Sequence, residues 1–202
     1  MRIERWAEVT DQALWVRAVE RLDVPACGLV PGPLDEDDLP APSARVHDPG
    51  LPAAWLAWWD AIARGAVVVA RPDLGGIADA AGLGDVVSRR FDEFHRWHEA
   101  RMQRGIDQWR DDMPAYARAH RWRAARPGTP GPDPLRETHL VADLERRLRR
   151  AAPPFVLDLL LLPVRDDVIR EVRPDRYLVP ERVYDGPDWP ARLEPLVLRQ
   201  LA

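Results

Sequence analysis

The first half of the chain alternates between segments with helical hydrophobic spacing and a segment dominated by proline. Residues 10–23 place apolar side chains at helical spacings, which predicts a helix with Thr10 or Asp11 as its N-cap. Residues 25–52 contain seven prolines and the acidic run 35–38. Proline fixes φ and removes a backbone donor, so this segment is predicted to be an extended linker or a wrapping loop rather than a helix or a central strand.

A second helix is predicted over residues 52–64, and its apolar face is aromatic. Steps of three and four residues connect the members of this face, which are Trp55, Trp58, Trp59 and Ile62. Trp55 and Trp59 lie one helical turn apart, so both are expected to be buried. Residues 66–73 are compatible with a short buried strand. The glycines that follow match neither the dinucleotide-binding nor the P-loop spacing.

The longest helical pattern begins near residue 85 and carries one continuous apolar stripe. Steps of three and four residues connect Val87, Phe91, Phe94, His98, Met102, Ile106, Trp109, Met113 and Tyr116. Because His98 belongs to the stripe, it is expected to be more buried than its neighbours Arg96 and Glu99. Residues 85–112 are therefore predicted to be mostly helical.

After residue 154 the pattern changes from helical to extended. Residues 155–184 are predicted to form three strands of one sheet. Pro180 lies within the third strand and predicts an edge position or a bulge there. Asp158 interrupts an apolar run, and burial would require an arginine partner for its carboxylate.

Helices followed by strands predict an α+β fold, in which N-terminal and central helices pack with a small, mainly antiparallel C-terminal sheet and a closing C-terminal helix. We expect a single domain. Its parts are an N-terminal helix at 1–24, an acidic proline-rich linker at 25–52, a helical part at 53–151, and a β-rich part with the C-terminal helix at 153–202.

The composition of the 202 residues excludes several kinds of chemistry. All basic residues are arginines, so Schiff-base catalysis and a P-loop, which need lysine, are excluded. The absence of lysine and asparagine is typical of a GC-rich bacterial genome. The single cysteine, Cys27, is predicted to be a small buried residue and favours a reducing, cytoplasmic location. No apolar run approaches the roughly 18 residues of a membrane span, so no membrane partner is expected.

The two histidines at the start of the long helix are the main candidates for chemistry. His95 and His98 lie one turn apart, and Asp92 precedes them by one turn, so the three side chains could share a metal ion. A catalytic zinc site would still need a ligand from His47, His120 or His139. Without a metal, His95, His98 and Glu99 are candidates for acid–base catalysis. The simpler interpretation is a half-buried histidine paired with a carboxylate within one turn, Asp92 or Glu99, and we expect no cofactor.

A second candidate site is the arginine-rich stretch near the end of the long helix. Arg118, Arg121, Arg123 and Arg126 surround an aromatic side chain, Trp122, a combination that binds phosphates and stacks on bases. Arginines also gather at helix C-termini because they complement the helix dipole. The chain carries a formal net charge of −4, which is unusual for a nucleic-acid-binding domain.

Nine tryptophans and a strong charge asymmetry favour a protein-interaction role. Residues 1–60 carry five arginines against eleven acids, whereas residues 89–150 carry fifteen arginines against ten acids. Tryptophan is enriched at protein interfaces, and Trp58, Trp97 and Trp122 are candidates for contact with a partner. The leading hypothesis is a non-enzymatic interaction or accessory protein that binds another protein. The alternatives are a small enzyme around Asp92, His95 and His98, and a nucleic-acid or anionic-ligand binder.

Overall fold

A computed structural model describes residues 1–43, 49–65, 82–123 and 135–201; in the helix that ends at Arg123, side chains are described as far as residue 111. The predicted strand at 66–73 lies outside these residues. The chain divides into two compact units, which are described separately below. The first contains Met1–Arg96 and Val156–Trp189, and the second contains Trp97–Phe155 and Pro190–Ala202.

The first unit is built on a four-stranded mixed sheet. Its strands are β1 (Arg2–Glu4), β2 (Asp158–Leu162), β3 (Arg170–Arg173) and β4 (Arg176–Pro180). They lie in the order β1-β2-β4-β3. The α+β class and the C-terminal sheet are confirmed, but the sheet is not mainly antiparallel. β2 pairs in parallel with both β1 and β4, and only the β3–β4 hairpin is antiparallel.

Pro180 does not mark an edge strand. β4 lies between β2 and β3, and Pro180 is its last residue, paired with Leu162. A missing N–H is tolerated here because the chain leaves the sheet directly into helix α5 (Glu181–Tyr184). Asp158 has the expected arginine partner. The partner is Arg173 of β3, whose Nη2 lies 3.7 Å from the Asp158 carboxylate.

Two helices of the first unit bury the tryptophan-rich core. Helix α1 spans Glu8–Val19 and helix α2 spans Leu51–Ala63, which begins with a proline in its first turn. Trp55 and Trp59 are fully buried, as predicted. Their rings stack with centroids 5.6 Å apart, and the Trp55 indole N–H donates a 2.7 Å hydrogen bond to the Ala13 carbonyl oxygen.

The start of α1 differs from the prediction. Thr10 and Asp11 do not cap the helix; they lie within its first turns and are buried. Ala7 occupies the N-cap position and makes no side-chain capping bond. The predicted N-cap lies too far along the chain, because Glu8 and Val9, which precede Thr10, are also helical.

The proline-rich segment wraps against the sheet unit. Val30 and Leu34 are buried, and Leu34 forms an isolated antiparallel bridge with Val164. Arg165 pairs with Asp35 at 2.8 Å and also with Asp37, so part of the acidic run holds this segment in place. Cys27 lies in the same segment and is exposed, so the prediction of a buried cysteine was wrong. Cys27 lies in an irregular stretch after α1, and such connecting segments run over the surface.

The second unit is helical. Helix α3 (Gly84–Arg123) contributes its residues from Trp97 onward, and the unit also contains α4 (Arg136–Leu148) and most of α6 (Trp189–Leu201). Apolar side chains buried in this unit are Leu144, Leu193, Leu196, Val197 and Leu201. Arg147 and Glu194 form an ion pair at 2.9 Å. The helical predictions for 52–64, 85–112 and the C-terminus are confirmed, and no helix among the described residues is long and apolar enough to cross a membrane.

Candidate functional site

His95 pairs with an acid from another helix. Its Nε2 lies 3.2 Å from Oε1 of Glu8 in α1, and its Nδ1 lies 2.9 Å from the Phe91 carbonyl oxygen. A histidine with one nitrogen on a carbonyl and the other on a carboxylate donates from both when it is protonated. The rings of Phe91 and Phe94 flank the imidazole, with centroids 4.0 and 5.3 Å away. His95 is therefore a half-buried histidine paired with a carboxylate, but the acid is Glu8 of α1 and not Asp92 or Glu99 of its own helix.

The other candidate residues of the histidine site differ in burial. His98 is 7% exposed, whereas Arg96 and Glu99 are exposed, as predicted. Asp92 is also exposed. Among the described residues, no group of three or more His, Cys, Asp and Glu side chains is placed to hold a metal ion. His47 and the side chain of His120 lie outside the described residues.

The tryptophan and arginine candidates divide between buried, half-buried and undescribed positions. Trp58 is 1% exposed, so its side chain faces the core of the first unit rather than a partner. Trp97 is half-buried and has the Arg101 guanidinium 5.9 Å from its ring centroid. The structure does not describe the side chains of Trp122, Arg118, Arg121, Arg123 and Arg126. The nucleic-acid hypothesis therefore stays a prediction.

The apolar stripe of α3 varies in burial: Phe91 near its start is 46% exposed, His98 is buried, and the described members from Met102 onward become more exposed. Phe94 is fully buried, but in the second unit Met102 is half-buried, and Ile106 and Trp109 are exposed at 40% and 64%. These last three side chains recur at helical spacing, so they lie on one face. We call Met102, Ile106 and Trp109 the α3 stripe.

Charged residues flank the α3 stripe in an ordered way. Glu99 and Arg110 lie eleven residues apart, close to three full turns, so both project from the same side of the stripe. Glu99 makes no ion pair or hydrogen bond with the residues that the structure describes. Arg110 pairs with Asp107 at 3.0 Å, and Gln103 also donates to Asp107.

Two buried charge networks support the first unit. Glu20 accepts hydrogen bonds from the Ser43 hydroxyl at 2.7 Å and from Arg90 Nε at 2.9 Å. Burial alone would raise the pKa of Glu20, but these hydrogen bonds outweigh it and hold the pKa below its ordinary value. Burial would lower the pKa of Arg90, but the hydrogen bonds that Arg90 donates to Glu20 and Glu93 outweigh it and raise that pKa.

The second network joins the sheet to the proline-rich segment. Asp166 pairs with Arg170 at 2.7 Å and accepts a hydrogen bond from the Gly32 backbone N–H. Burial opposes ionisation of Asp166, yet these partners lower its pKa below the ordinary value. The Gly32 carbonyl oxygen in turn accepts from Arg17, so this one residue connects the Asp166 carboxylate to a second arginine.

Sequence reasoning missed Glu8, Arg17 and Asp166. Glu8 is separated from His95 by more than eighty residues, and Asp166 from Gly32 by more than one hundred, so no local spacing indicates either pair. Comparison of the chain with protein-family models, with curated proteins and with solved structures found no match. The functional proposals below therefore rest on geometry and chemistry.

Proposed function

We propose that this chain is a non-enzymatic protein-interaction component and that it binds through the α3 stripe. The observation that carries this proposal is Trp109, whose indole is 64% exposed in line with Ile106 and Met102. An exposed apolar stripe on a helix gains free energy when a second surface removes it from water. Tryptophan is also strongly enriched among the residues that dominate binding energy at interfaces.

The occupant is the α3 stripe of a second copy of this chain, packed antiparallel. In an antiparallel helix pair, each flank of one stripe faces the same flank of the other. Glu99 and Arg110 share a flank, so Glu99 of each copy faces Arg110 of the other, and two-fold symmetry makes this pair twice. A parallel arrangement brings opposite flanks together and does not form this pair.

Two further features support close packing of the second copy. Gly105 lies beside the stripe and, lacking a Cβ, lets another helix approach its backbone. Glu99 and Arg110 are separated by about 16 Å along the axis, so the two ion pairs would bracket the apolar contact at both ends. One helical stripe buries less than the standard interface area of about 1,600 Å², so we expect a dissociation constant in the micromolar range.

The oligomeric state tests this proposal. Sedimentation equilibrium over a wide concentration range should show a reversible dimer for the parent chain. Trp109→Glu places a charge within the apolar contact and should give a monomer. Val168→Glu is the matched control because Val168 is an exposed valine of the first unit, 54% exposed, and this variant should dimerise like the parent.

Charge reversal tests the antiparallel register. Glu99→Arg alone should weaken the dimer because it places two arginines opposite each other. Combining it with Arg110→Glu should restore much of the affinity. A parent chain that stays monomeric at every concentration, or a Trp109→Glu variant that dimerises normally, would contradict the second copy as the occupant. Failure of the double reversal alone would contradict the antiparallel register.

The proposal includes a reducing, cytoplasmic location. Cys27 is the only cysteine in the sequence and its thiol is exposed. It cannot form a disulfide within the chain, and an exposed thiol is stable against oxidation mainly in a reducing compartment.

A further inference from the structure

The strongest unassigned feature is a groove in the first unit, between the last turns of α1 and the start of the proline-rich segment. Its volume is about 340 Å³, within the range of sites that hold small molecules. We call it the α1 groove. The residues that line it are Leu14, Arg17, Ala18, Arg21, Leu22, Asp23, Pro33 and Leu34.

The groove combines an apolar surface with an excess of positive charge. Leu14 and Leu34 are buried, so they form part of its floor. Its ionisable lining consists of two arginines and one aspartate, which gives a net positive charge. An apolar cavity with one concentrated polar feature is the usual composition of a small-molecule site.

Arg17 is a half-buried cation that makes no ion pair with a carboxylate among the described residues. Its guanidinium donates to the carbonyl oxygens of Pro31 and Val24 at 2.7 Å and of Gly32 at 3.3 Å, and it lies 5.3 Å from the centre of the Trp55 ring. Carbonyl dipoles and an aromatic face stabilise the charge but do not neutralise it. The remaining N–H donors of the guanidinium are unused within the described part of the chain.

Arg21 occupies a backbone position that favours glycine. It lies just beyond the C-cap of α1 with φ +51°, and its N–H and that of Leu22 bond back to Ala18 and Arg17. This is the Schellman arrangement, in which glycine avoids the steric cost that a side chain carries. Arg21 is exposed, and its side chain makes no ion pair or hydrogen bond with the described residues. The chain therefore has an arginine at the rim of the groove despite the steric cost of its positive φ.

We infer that the α1 groove binds a small apolar carboxylate. The hydrocarbon body packs on Leu14, Ala18 and Leu34, and the carboxylate is held by Arg21 at the rim and by the unused donors of Arg17. Guanidinium groups match the planar geometry of a carboxylate with paired hydrogen bonds. A phosphate would need more donors and less apolar surface than this lining provides.

The test uses 4-methylpentanoate as the probe and 4-methylpentanol, which has the same hydrocarbon body without the charge, as the control ligand. Calorimetric titration of the full chain, with ligand up to about 10 mM, detects even millimolar binding. The acid should bind with one site per chain, and the alcohol should bind at least about tenfold more weakly, a loss of roughly 1.4 kcal/mol. Equal binding of both ligands, or binding of neither, would overturn the inference.

Two glycine substitutions separate binding from folding. Arg21→Gly relieves the backbone strain and should raise the melting temperature, yet it should lower the affinity for the acid at least tenfold. Arg149→Gly is the matched control because Arg149 is also a left-handed arginine at the end of a helix, φ +52°, in the second unit. It should raise the melting temperature without changing affinity. Unchanged affinity in Arg21→Gly, or an equal loss in both variants, would contradict a site at the α1 groove.

Discussion

At the scale of single residues, tryptophans with the same helical spacing differ sharply in burial. Trp55 and Trp59 bury their rings, and both satisfy the indole N–H, on the carbonyl oxygens of Ala13 and Leu29. Trp109 remains exposed at a position with the same helical spacing. The sequence predicts that these tryptophans lie on helical faces, but it does not tell which faces another element covers.

Substitution of the two kinds of tryptophan should have very different effects on stability. We expect Trp59→Ala to lower the free energy of unfolding by about 3–5 kcal/mol, because it opens a cavity beside Trp55 and removes a buried hydrogen bond. Trp109→Ala should cost less than about 1 kcal/mol at a concentration where the chain is monomeric. Urea unfolding followed by circular dichroism measures both. A small loss for Trp59→Ala would show that its ring does not support the core.

At the scale of elements, local periodicity predicted the helices better than the strands. Spacing alone identifies α2 and much of α3, since each carries its own apolar face. β1 has only three residues, and its parallel pairing with β2 joins positions more than 150 residues apart, so nothing local indicates it. Pro180 misled the prediction because a proline at the end of a strand needs no partner for its nitrogen.

The attachment of the proline-rich segment to the sheet depends on a glycine that periodicity does not reveal. A Cβ at Gly32 would lie 2.9 Å from the Cβ and Oδ2 of Asp166, closer than real contacts allow. This close approach lets the Gly32 N–H reach the Asp166 carboxylate, which also holds Arg170.

Gly32→Ala should therefore destabilise the fold by about 1–3 kcal/mol, because either the segment or the Asp166–Arg170 pair must move. Gly28→Ala in the same segment is the control. It has φ +54° but no neighbour within 4 Å of an added Cβ, so it should cost only the strain of about 1 kcal/mol. Denaturant titrations of both variants measure the difference. A Gly32→Ala variant more stable than Gly28→Ala would contradict the steric role of this contact.

At the scale of the whole molecule, the charge asymmetry of the sequence is partly used in specific pairs. The acidic N-terminal third supplies Glu20, Asp35 and Glu8, and arginines or a histidine from later segments meet each of them. Composition predicts that such attraction exists, but it cannot predict which acid becomes buried. Glu20 is buried and depends on Ser43 and Arg90 for its hydrogen bonds, so its ionisation is coupled to folding.

This coupling predicts a loss of stability in acid. The pKa of Glu20 is lowered on folding from 4.5, and that of Asp166 from 3.8, because hydrogen bonds to the charged forms outweigh burial. At pH values between the folded and unfolded pKa of such a carboxyl group, the unfolded chain binds more protons than the folded chain. The stability that the group contributes is therefore fully present above its unfolded pKa and is lost as the pH falls through its folded pKa. Glu20→Gln should cost about 1–3 kcal/mol at pH 7 and progressively less in acid, as Glu20 becomes protonated in the folded chain. Asp188→Asn, at an exposed aspartate, should show no such pH dependence relative to the parent. Urea unfolding at a series of pH values measures the difference. If Glu20→Gln costs as much in acid as at pH 7, the Glu20 charge is not coupled to folding.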